Sequence, residues 1–373
     1  MKKKTYNSII VCLFCGFIFA LLLMSFLIPD RSFSQRENRY LQPLPAFSWQ
    51  RLFDGKFTSD FEDYCADQFP FRDSWITLNA RYEQLSGKKQ TNGVYLCGDR
   101  LITPFTAPSP TELNRRFTAV ELLSETGEIP VHLALIPSAA EIYRDQLPAG
   151  APNDSQTAVI AQAADHGLSP APLLSVLNEH KEEEIFYRTD HHWTTLGAYY
   201  AYTALCETLG LEAQPLDSFR PETVSANFYG TAYSSSGYTW VKPDHIERFV
   251  DESAAETVIS YRSGSPVEGG LYREESLSQK DQYTYFLGGN TPEIVLTGTD
   301  SALPRLVMVR DSYSDCLAPF LLTHYSEIRM LDLRYFLGSV RAYAAEHQAD
   351  AILIIYSVEN FCKESSVVAM MAD

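Results

Sequence analysis

From Ile9 to Ile28 the chain carries no charged residue, and only Gly16 and Ser25 interrupt its apolar side chains. In a helix, about 20 residues at about 1.5 Å each reach about 30 Å, the thickness of a bilayer's hydrocarbon core. Lys2, Lys3 and Lys4 precede the run, and no acidic residue does. Flanking charge of that sign favours a cytoplasmic N-terminus with the bulk of the chain outside. The exit, LLLMSFLIPDRS, has no small-x-small cleavage pattern. Residues 1–28 therefore read as a cytoplasmic tip and uncleaved signal anchor, with a cleaved signal peptide as the alternative. No other stretch approaches 18 apolar residues. The expectation is a single-pass protein of the cell membrane whose C-terminal domain is extracytoplasmic.

Beyond residue 28 the chain has 27 basic and 47 acidic side chains, a net charge of −20. Nucleic acid needs a basic face, so that class of partner is set aside. Docking on anionic lipid or a polyanion through bulk charge is likewise disfavoured. Cys12 and Cys15 lie inside the apolar run, and Cys65, Cys97, Cys206, Cys316 and Cys362 are scattered beyond it. An odd, widely spaced set is no disulfide framework. These cysteines read as small buried hydrophobes.

Residues 29–56 form a polar stem with Pro43 and Pro45. From Phe57 to Ser86 the pattern is helical, broken at Pro70 in DQFPFRD, because proline lacks the N–H a helix needs. NGVYLCGDRLI (92–102) predicts a hairpin turning at Gly98-Asp99. Residues 110–127 predict a helix, 129–138 a buried strand, and EEIFYRTD (183–190) a short strand. Thr194 or Thr195 caps a helix closed by Gly210. Residues 215–290 are rich in Ser, Tyr, Gly and Thr and read as an insertion of loops and short strands. Strands at 305–309, 327–331 and 351–356 then alternate with helices at 314–325 and 335–348. Such alternation implies βαβ units and a mainly parallel sheet flanked by helices, an α/β fold spanning residues 57–373.

In sheets of this kind, reactive groups gather at the carboxyl ends of the strands. Three stretches fall there: Arg310-Asp311-Ser312, Ser357-Val358-Glu359-Asn360, and Asp190-His191-His192-Trp193. Ser312 stands on a strand-to-helix turn, where a hydroxyl is exposed beside free backbone N–H groups. It is either a nucleophile or a simple helix cap, and Ser314 is the second choice. If residues 188–192 are extended, Asp190 and His192 point to one side and His191 to the other. Asp190 would then hold one imidazole nitrogen while the other takes a proton from a hydroxyl, as in a serine triad. A metal site and a plain surface motif are the alternatives. The other histidines are isolated, and no H-x-x-x-H or H-E-x-x-H spacing occurs.

TDHHWTTLGAYYAY resembles the signature of the DHHW proteins, which are similar to the SGNH-hydrolase-like domain of alginate O-acetyltransferases of the AlgX and AlgJ type. FPFRD, NGVYLCGDRLI, FYGTAYSSSGY (228–238), FLGGN (286–290) and VRDSYSD add to the resemblance, which covers most of the outside domain. It implies an SGNH-hydrolase-like fold, with Asp190 as the acid, His192 as the base and Ser312 as the nucleophile. Asp311-Ser312 matches the usual Asp-Ser pair, with Arg310 where glycine is expected. No Gly-x-Asn-Asp block is present. Gly289 and Asn290 (with Gly288), Asn360 and Arg310 are therefore the candidates for oxyanion or substrate contacts. Trp193 is expected to pack beneath the imidazole.

The resemblance implies a membrane-anchored O-acetyltransferase acting on a cell-envelope or exported polysaccharide, with no metal and no cofactor. Acetyl-CoA is absent outside the cell, so the expected partner is a membrane-embedded acyltransferase that supplies acyl groups. A carbohydrate esterase with the same residues is the second function. A non-catalytic envelope binding or assembly protein is the third.

Overall fold

Residues 3–251, 257–262 and 265–371 are described by the structure, a computed structural model. The chain divides into two units: Met1–Thr91 with Ser234–Thr239, and Asn92–Tyr233 with Trp240–Asp373.

The second unit is built on a seven-stranded sheet. In chain order its strands are β1 (Val131–Ile136), β2 (Thr257–Arg262), β3 (Ser265–Gly269), β4 (Glu293–Thr297), β5 (Arg305–Arg310), β6 (Glu327–Leu331) and β7 (Ala351–Ser357). The spatial order is β3-β2-β4-β6-β5-β7-β1. β6, β5, β7 and β1 run parallel, whereas β4 and β3 extend the sheet by antiparallel pairing. Five of the seven strands thus run in one direction, so the sheet is mainly parallel with two opposed strands, β4 and β3. The parallel strands are those joined by helical crossovers. β2 and β3 follow each other too closely for a crossover and can pair only antiparallel.

Successive side chains of a strand point to opposite faces, and the core follows that period. Leu306, Met308, Leu353 and Ile355 are buried on one face with Trp193, Tyr202 and Tyr283. Val307, Val309, Ile352 and Ile354 are buried on the other with Phe117 and Phe361. Helix Thr195–Leu209 therefore covers the first face and helix Pro110–Glu125 the second. Ser109 starts the latter with a reciprocal capping box to Glu112 and a proline at the first turn. Burial on both faces explains why β5 and β7 read as nearly continuous apolar runs.

Two expected helices are shorter than their apolar patterns. Residues 312–324 form a sequence of short turns, Ser312–Asp315, Ala318–Leu321 and Leu322–His324, with Pro319 interrupting the backbone bonding. The 335–348 helix is confined to Val340–Glu346, opened by the Ser339 side chain. Residues 183–190 do not join the sheet; an isolated bridge between Phe186 and Trp193 closes them into a turn. The 215–290 stretch holds a hairpin of Arg220–Phe228 with Asp244–Val250 as well as β2 and β3. Its residues 252–256 and 263–264 lie outside the described residues.

In the first unit, helix Lys3–Leu27 contains a segment, Thr5–Leu27, long and apolar enough to cross a membrane. Helices Lys56–Asp67 and Arg72–Leu85 follow, separated at Pro70. The buried Asp67 carboxylate organises the stem, accepting from the Arg39 guanidinium and from the Gln42 N–H at 2.8 Å.

Candidate active site

Asp190 sits in a tight turn. Its Oδ1 accepts the backbone N–H of His192 at 3.0 Å, the local bond by which aspartate stabilises such turns. Tyr187 N–H donates to His192 O and Thr194 N–H to Ile185 O, which closes the turn from both sides. Thr194 then caps helix Thr195–Leu209 through the Gly197 N–H. Gly197 is required there, since a Cβ would come within 2.2 Å of Ile185 O. From behind, the buried Asp244 carboxylate accepts from Arg188 N–H, Thr189 N–H and the Thr189 hydroxyl.

The same Oδ1 of Asp190 lies 2.6 Å from His192 Nδ1, and His192 Nε2 lies 2.8 Å from Ser312 Oγ. Asp190, His192 and Ser312 are therefore brought together in one hydrogen-bonded line across 120 residues of sequence. Asp190 and His192 share a side because of the aspartate turn, not because the segment is extended. The turn also places His191 beside them rather than opposite. Its ring centroid is 3.9 Å from that of His192, and its Nδ1 is 2.7 Å from the Thr231 hydroxyl.

Ser312 follows the end of β5. Asp311 caps the turn Ser312–Asp315 by accepting the Tyr313 N–H. Its other carboxylate oxygen accepts Ser357 N–H, Ser357 Oγ–H and Asn360 Nδ2–H, each at 2.8 Å. β5 and β7 are adjacent and parallel, with Arg310 opposite Ile355, so Asp311 reaches the end of β7 directly. Ser314 is fully buried and donates to Asp311 O, which excludes it as an accessible nucleophile.

The aromatic wall was not legible as a motif. Tyr283 stacks on the His192 ring at 3.8 Å between centroids and 8° between planes. Its hydroxyl donates to Ser312 O at 3.2 Å. The ring beneath the imidazole is therefore Tyr283, and Trp193 is not. Trp193 instead packs edge-on to Tyr313 and donates its indole N–H to Tyr313 O at 2.8 Å. Its position after His192 turns it into the core, where it is fully buried.

The candidate oxyanion groups divide. Asn360 reaches the site, with one amide proton engaged by Asp311. Arg310 does not: it is completely buried and forms an ion pair with Asp315 at 2.8 Å. As the last residue of β5 it points into the interior, while Asp311 turns to the edge. Among the described residues, no hydrogen bond links Gly289 or Asn290 to Asp190, His192 or Ser312. Gly288 N–H is used by Thr284 O, and Gly288 and Gly289 serve a turn with φ of 83° and 90°. The Ser312 N–H makes no hydrogen bond among the described residues and stands beside its own hydroxyl.

Burial alone would raise the Asp190 carboxyl. The neighbouring imidazoles and the hydrogen bonds from His192 and Thr231 outweigh it and hold the group well below the carboxylate range. Burial, with His191 beside it, pushes His192 down to about 4 against the pull of Asp190. His192 is thus neutral and able to accept a proton throughout the neutral range. If His192 is the base, the acid limb of kcat/KM is expected near pH 4, well below the ordinary 6.5 of histidine. Between these values the unfolded chain binds more protons than the folded one. The stability His192 contributes is complete above 6.5 and is lost as pH falls toward about 4. A pH–rate profile paired with melting curves checks both.

Asp190 Oδ2 accepts the Thr231 N–H at 2.7 Å and its hydroxyl at 3.0 Å. This close approach needs Gly230, where a Cβ would lie 2.2 Å from Asp190 Oδ2. Gly230→Ala is expected to displace the carboxylate and lower turnover about 10²-fold, the scale of a 1 Å misplacement. Turnover of an acetyl ester, with the melting temperature as control, measures it. FYGTAY carried this information as a landmark, but nothing in its spacing tied Thr231 to Asp190.

Asp190, His191 and His192 also form a group whose possible metal-ligand atoms lie within 4.8 Å of one another. Asp190 Oδ1 is bonded to His192 Nδ1, His192 Nε2 to Ser312, and His191 Nδ1 to Thr231. A metal that took those atoms would have to break these bonds.

A serine bonded to an imidazole that is bonded to a carboxylate thus stands at the carboxyl edge of a sheet covered by helices. Residues 126–331 match the model of the DHHW protein family. The chain belongs to the DHHW family. Among solved structures it is similar to a DHHW family protein from Eubacterium siraeum, with a TM-score of 0.66 and 23% identity over 75% of this chain and 95% of that one. It is also similar to Bacillus cereus PatB1, solved with a sulfonyl adduct, with a TM-score of 0.62 and 16% identity over 74% of this chain and 97% of that one. By sequence it is similar to the probable alginate O-acetylase AlgJ of Pseudomonas syringae pv. tomato. The identity is 25% over 232 residues, 58% of each chain. The chain thus spans less than two thirds of that relative's length.

Proposed function

We propose that the protein is a membrane-anchored, extracytoplasmic O-acetyltransferase that modifies a cell-envelope or exported polysaccharide through Ser312, His192 and Asp190. The observation that carries this is the pair of contacts of His192, 2.6 Å to Asp190 and 2.8 Å to Ser312. Both match the reach required of a general base and its orienting group. The similarity to a probable alginate O-acetylase supports acetyl as the acyl group and a polysaccharide as the acceptor. The apolar helix supports the anchor.

In the proposed reaction, Ser312 Oγ attacks the acyl carbon of the donor as its proton passes to His192 Nε2. The imidazolium returns that proton to the departing donor oxygen, leaving an acyl-Ser312 ester. An acceptor hydroxyl then loses its proton to His192 and attacks the ester carbon, the bond to Ser312 Oγ breaks, and the imidazolium returns the proton to Oγ. Asp190 keeps the Nδ1 proton in place and stabilises the transient imidazolium. The Ser312 N–H and the Asn360 amide are the proposed donors to the oxyanion. A membrane-embedded acyltransferase is the proposed source of acyl groups.

An esterase differs only in accepting water. Incubation with an acetyl ester and a neutral oligosaccharide, with product analysis by mass spectrometry, separates the two. Acetylated sugar exceeding free acetate supports the transferase; acetate alone, at any sugar concentration, would replace it with the esterase. Activity is expected to survive chelation by EDTA. Loss that zinc restores would transfer the chemistry to a metal at Asp190, His191 and His192.

A further inference from the structure

We infer that Lys280 is a positioning residue for the proposed acetyl transfer: its ammonium fastens the turn that carries Tyr283 to the segment that carries Thr231. One contact thereby aligns the groups that hold His192 and Asp190. The inference rests on the proposed roles of Ser312, His192 and Asp190.

The two partners come from distant parts of the sequence. Tyr283, in the turn Gln282–Tyr285, stacks on His192 and donates to Ser312 O. Thr231 lies just beyond the strand Arg220–Phe228 and gives Asp190 Oδ2 two donors. Neither segment belongs to the seven-stranded sheet, so their relative position depends on contacts between them. Tyr187 packs edge-on to both Phe228 and Tyr283, which buries the seam without fixing its register. Two directional bonds supply the register. The Ser225 hydroxyl donates to Gln282 Oε1 at 2.7 Å, and Lys280 Nζ donates to Tyr229 O at 2.8 Å.

Of the two, the Lys280 bond lies nearer in the chain to Thr231. Tyr229 O belongs to the peptide whose N–H, that of Gly230, donates to Thr189 Oγ1 at 3.2 Å. In a trans peptide the C=O and N–H point in opposite directions, so Lys280 and Thr189 grip this peptide from opposite sides. The next N–H along the chain is that of Thr231, which Asp190 accepts at 2.7 Å. Gly230 already approaches Asp190 so closely that a Cβ would lie 2.2 Å from Oδ2. The segment has no room to move toward the carboxylate, and Lys280 opposes its moving away.

An ammonium suits this place. A bond from a charged donor is about twice as strong as a neutral one. Lys280 is half-buried, with Nζ 5.3 Å from the centroid of the Tyr233 ring, and that ring packs on Tyr229 at 4.3 Å. The cation thus holds both ends of segment 229–233. Burial lowers Lys280 from the ordinary lysine value, opposed by the charges of Asp190 and Asp281. The same attraction favours the ionised form of Asp190.

The test compares the full chain in detergent with Lys280→Met, Lys280→Arg and Ser225→Ala. Methionine keeps an unbranched stem but has no donor and no charge, whereas arginine keeps both. Lys280→Met is expected to lower kcat for an acetyl ester about 10²-fold, the scale of a 1 Å misplacement, with KM and melting temperature close to native. Lys280→Arg should restore most of the loss. Ser225→Ala, which cuts the tie farther from Thr231, should stay close to native. The His192 Nδ1 proton shared with Asp190 should give a downfield proton NMR signal that moves in Lys280→Met and stays in Lys280→Arg. That readout needs no turnover: a native chain that fails to turn over the ester refutes the acetyl-transfer reading, while the signal still judges Lys280. Native turnover and an unmoved signal in Lys280→Met would overturn the inference. A rise in KM alone would make Lys280 a substrate contact and also overturn it. So would an equal loss in Ser225→Ala, or an earlier melt with native turnover per folded molecule.

Discussion

Ser312→Ala and His192→Ala are each expected to reduce acetyl-ester turnover by on the order of 10⁶-fold, about 8 kcal/mol of barrier. The two losses should be of similar size and should not add. Without Ser312 the base has no proton to accept, and without His192 the hydroxyl is not activated. His191→Gln should cost about tenfold or less. His191 lies against the same ring and within 3.6 Å of Asp190, but among the described residues the Ser312 hydroxyl is bonded to His192. Turnover of the three variants, at equal folded fraction, decides the roles of the two histidines. A large loss in His191→Gln with a small one in His192→Ala would reverse the assignment.

Asp190→Asn is expected to lower turnover about 10⁴-fold, about 5.5 kcal/mol. Four donors converge on this carboxylate: His192 N–H, His192 Nδ1–H, Thr231 N–H and the Thr231 hydroxyl. Asparagine offers one acceptor oxygen and sets an NH₂ against at least one N–H. Turning the oxygen to Thr231 leaves His192 with the wrong tautomer, its proton on Nε2 facing Ser312. A buried donor left without an acceptor adds about 1–3 kcal/mol to the cost in stability. Steady-state kinetics with a melting curve separates the two effects. A variant that melts earlier yet turns over normally would make Asp190 a structural residue.

The fold and the line of hydrogen-bonded groups were legible for different reasons. β5 and β7 announce themselves because burial on both faces leaves residues 306–309 and 352–355 wholly apolar. Asp190, His192 and Ser312 are visible because rare side chains fall at strand and turn ends. What failed is the local geometry: 183–190 carries a strand's composition, yet the Asp190 side chain captures the His192 N–H and closes a turn. The same event reverses His191. Trp193 was misplaced beneath the imidazole, since the face it presents depends on that turn. Tyr283 was unreadable, being one of 22 tyrosines, and it meets His192 only through the fold. Arg310 shows the limit of matching by motif: occupying a glycine's place beside Ser312, it serves the interior ion pair with Asp315.

The central claim is that Ser312 carries the acyl group between donor and acceptor. Its direct measurement is the intact mass of the protein after brief exposure to an acetyl ester such as p-nitrophenyl acetate, followed by peptide mapping. One acetyl group should appear on Ser312 and be absent in Ser312→Ala. It should accumulate when acceptor is withheld and leave when an accepted sugar is added. An adduct that persists in Ser312→Ala, or that maps to Ser314 or to a surface lysine while Ser312 stays unmodified, would contradict the account.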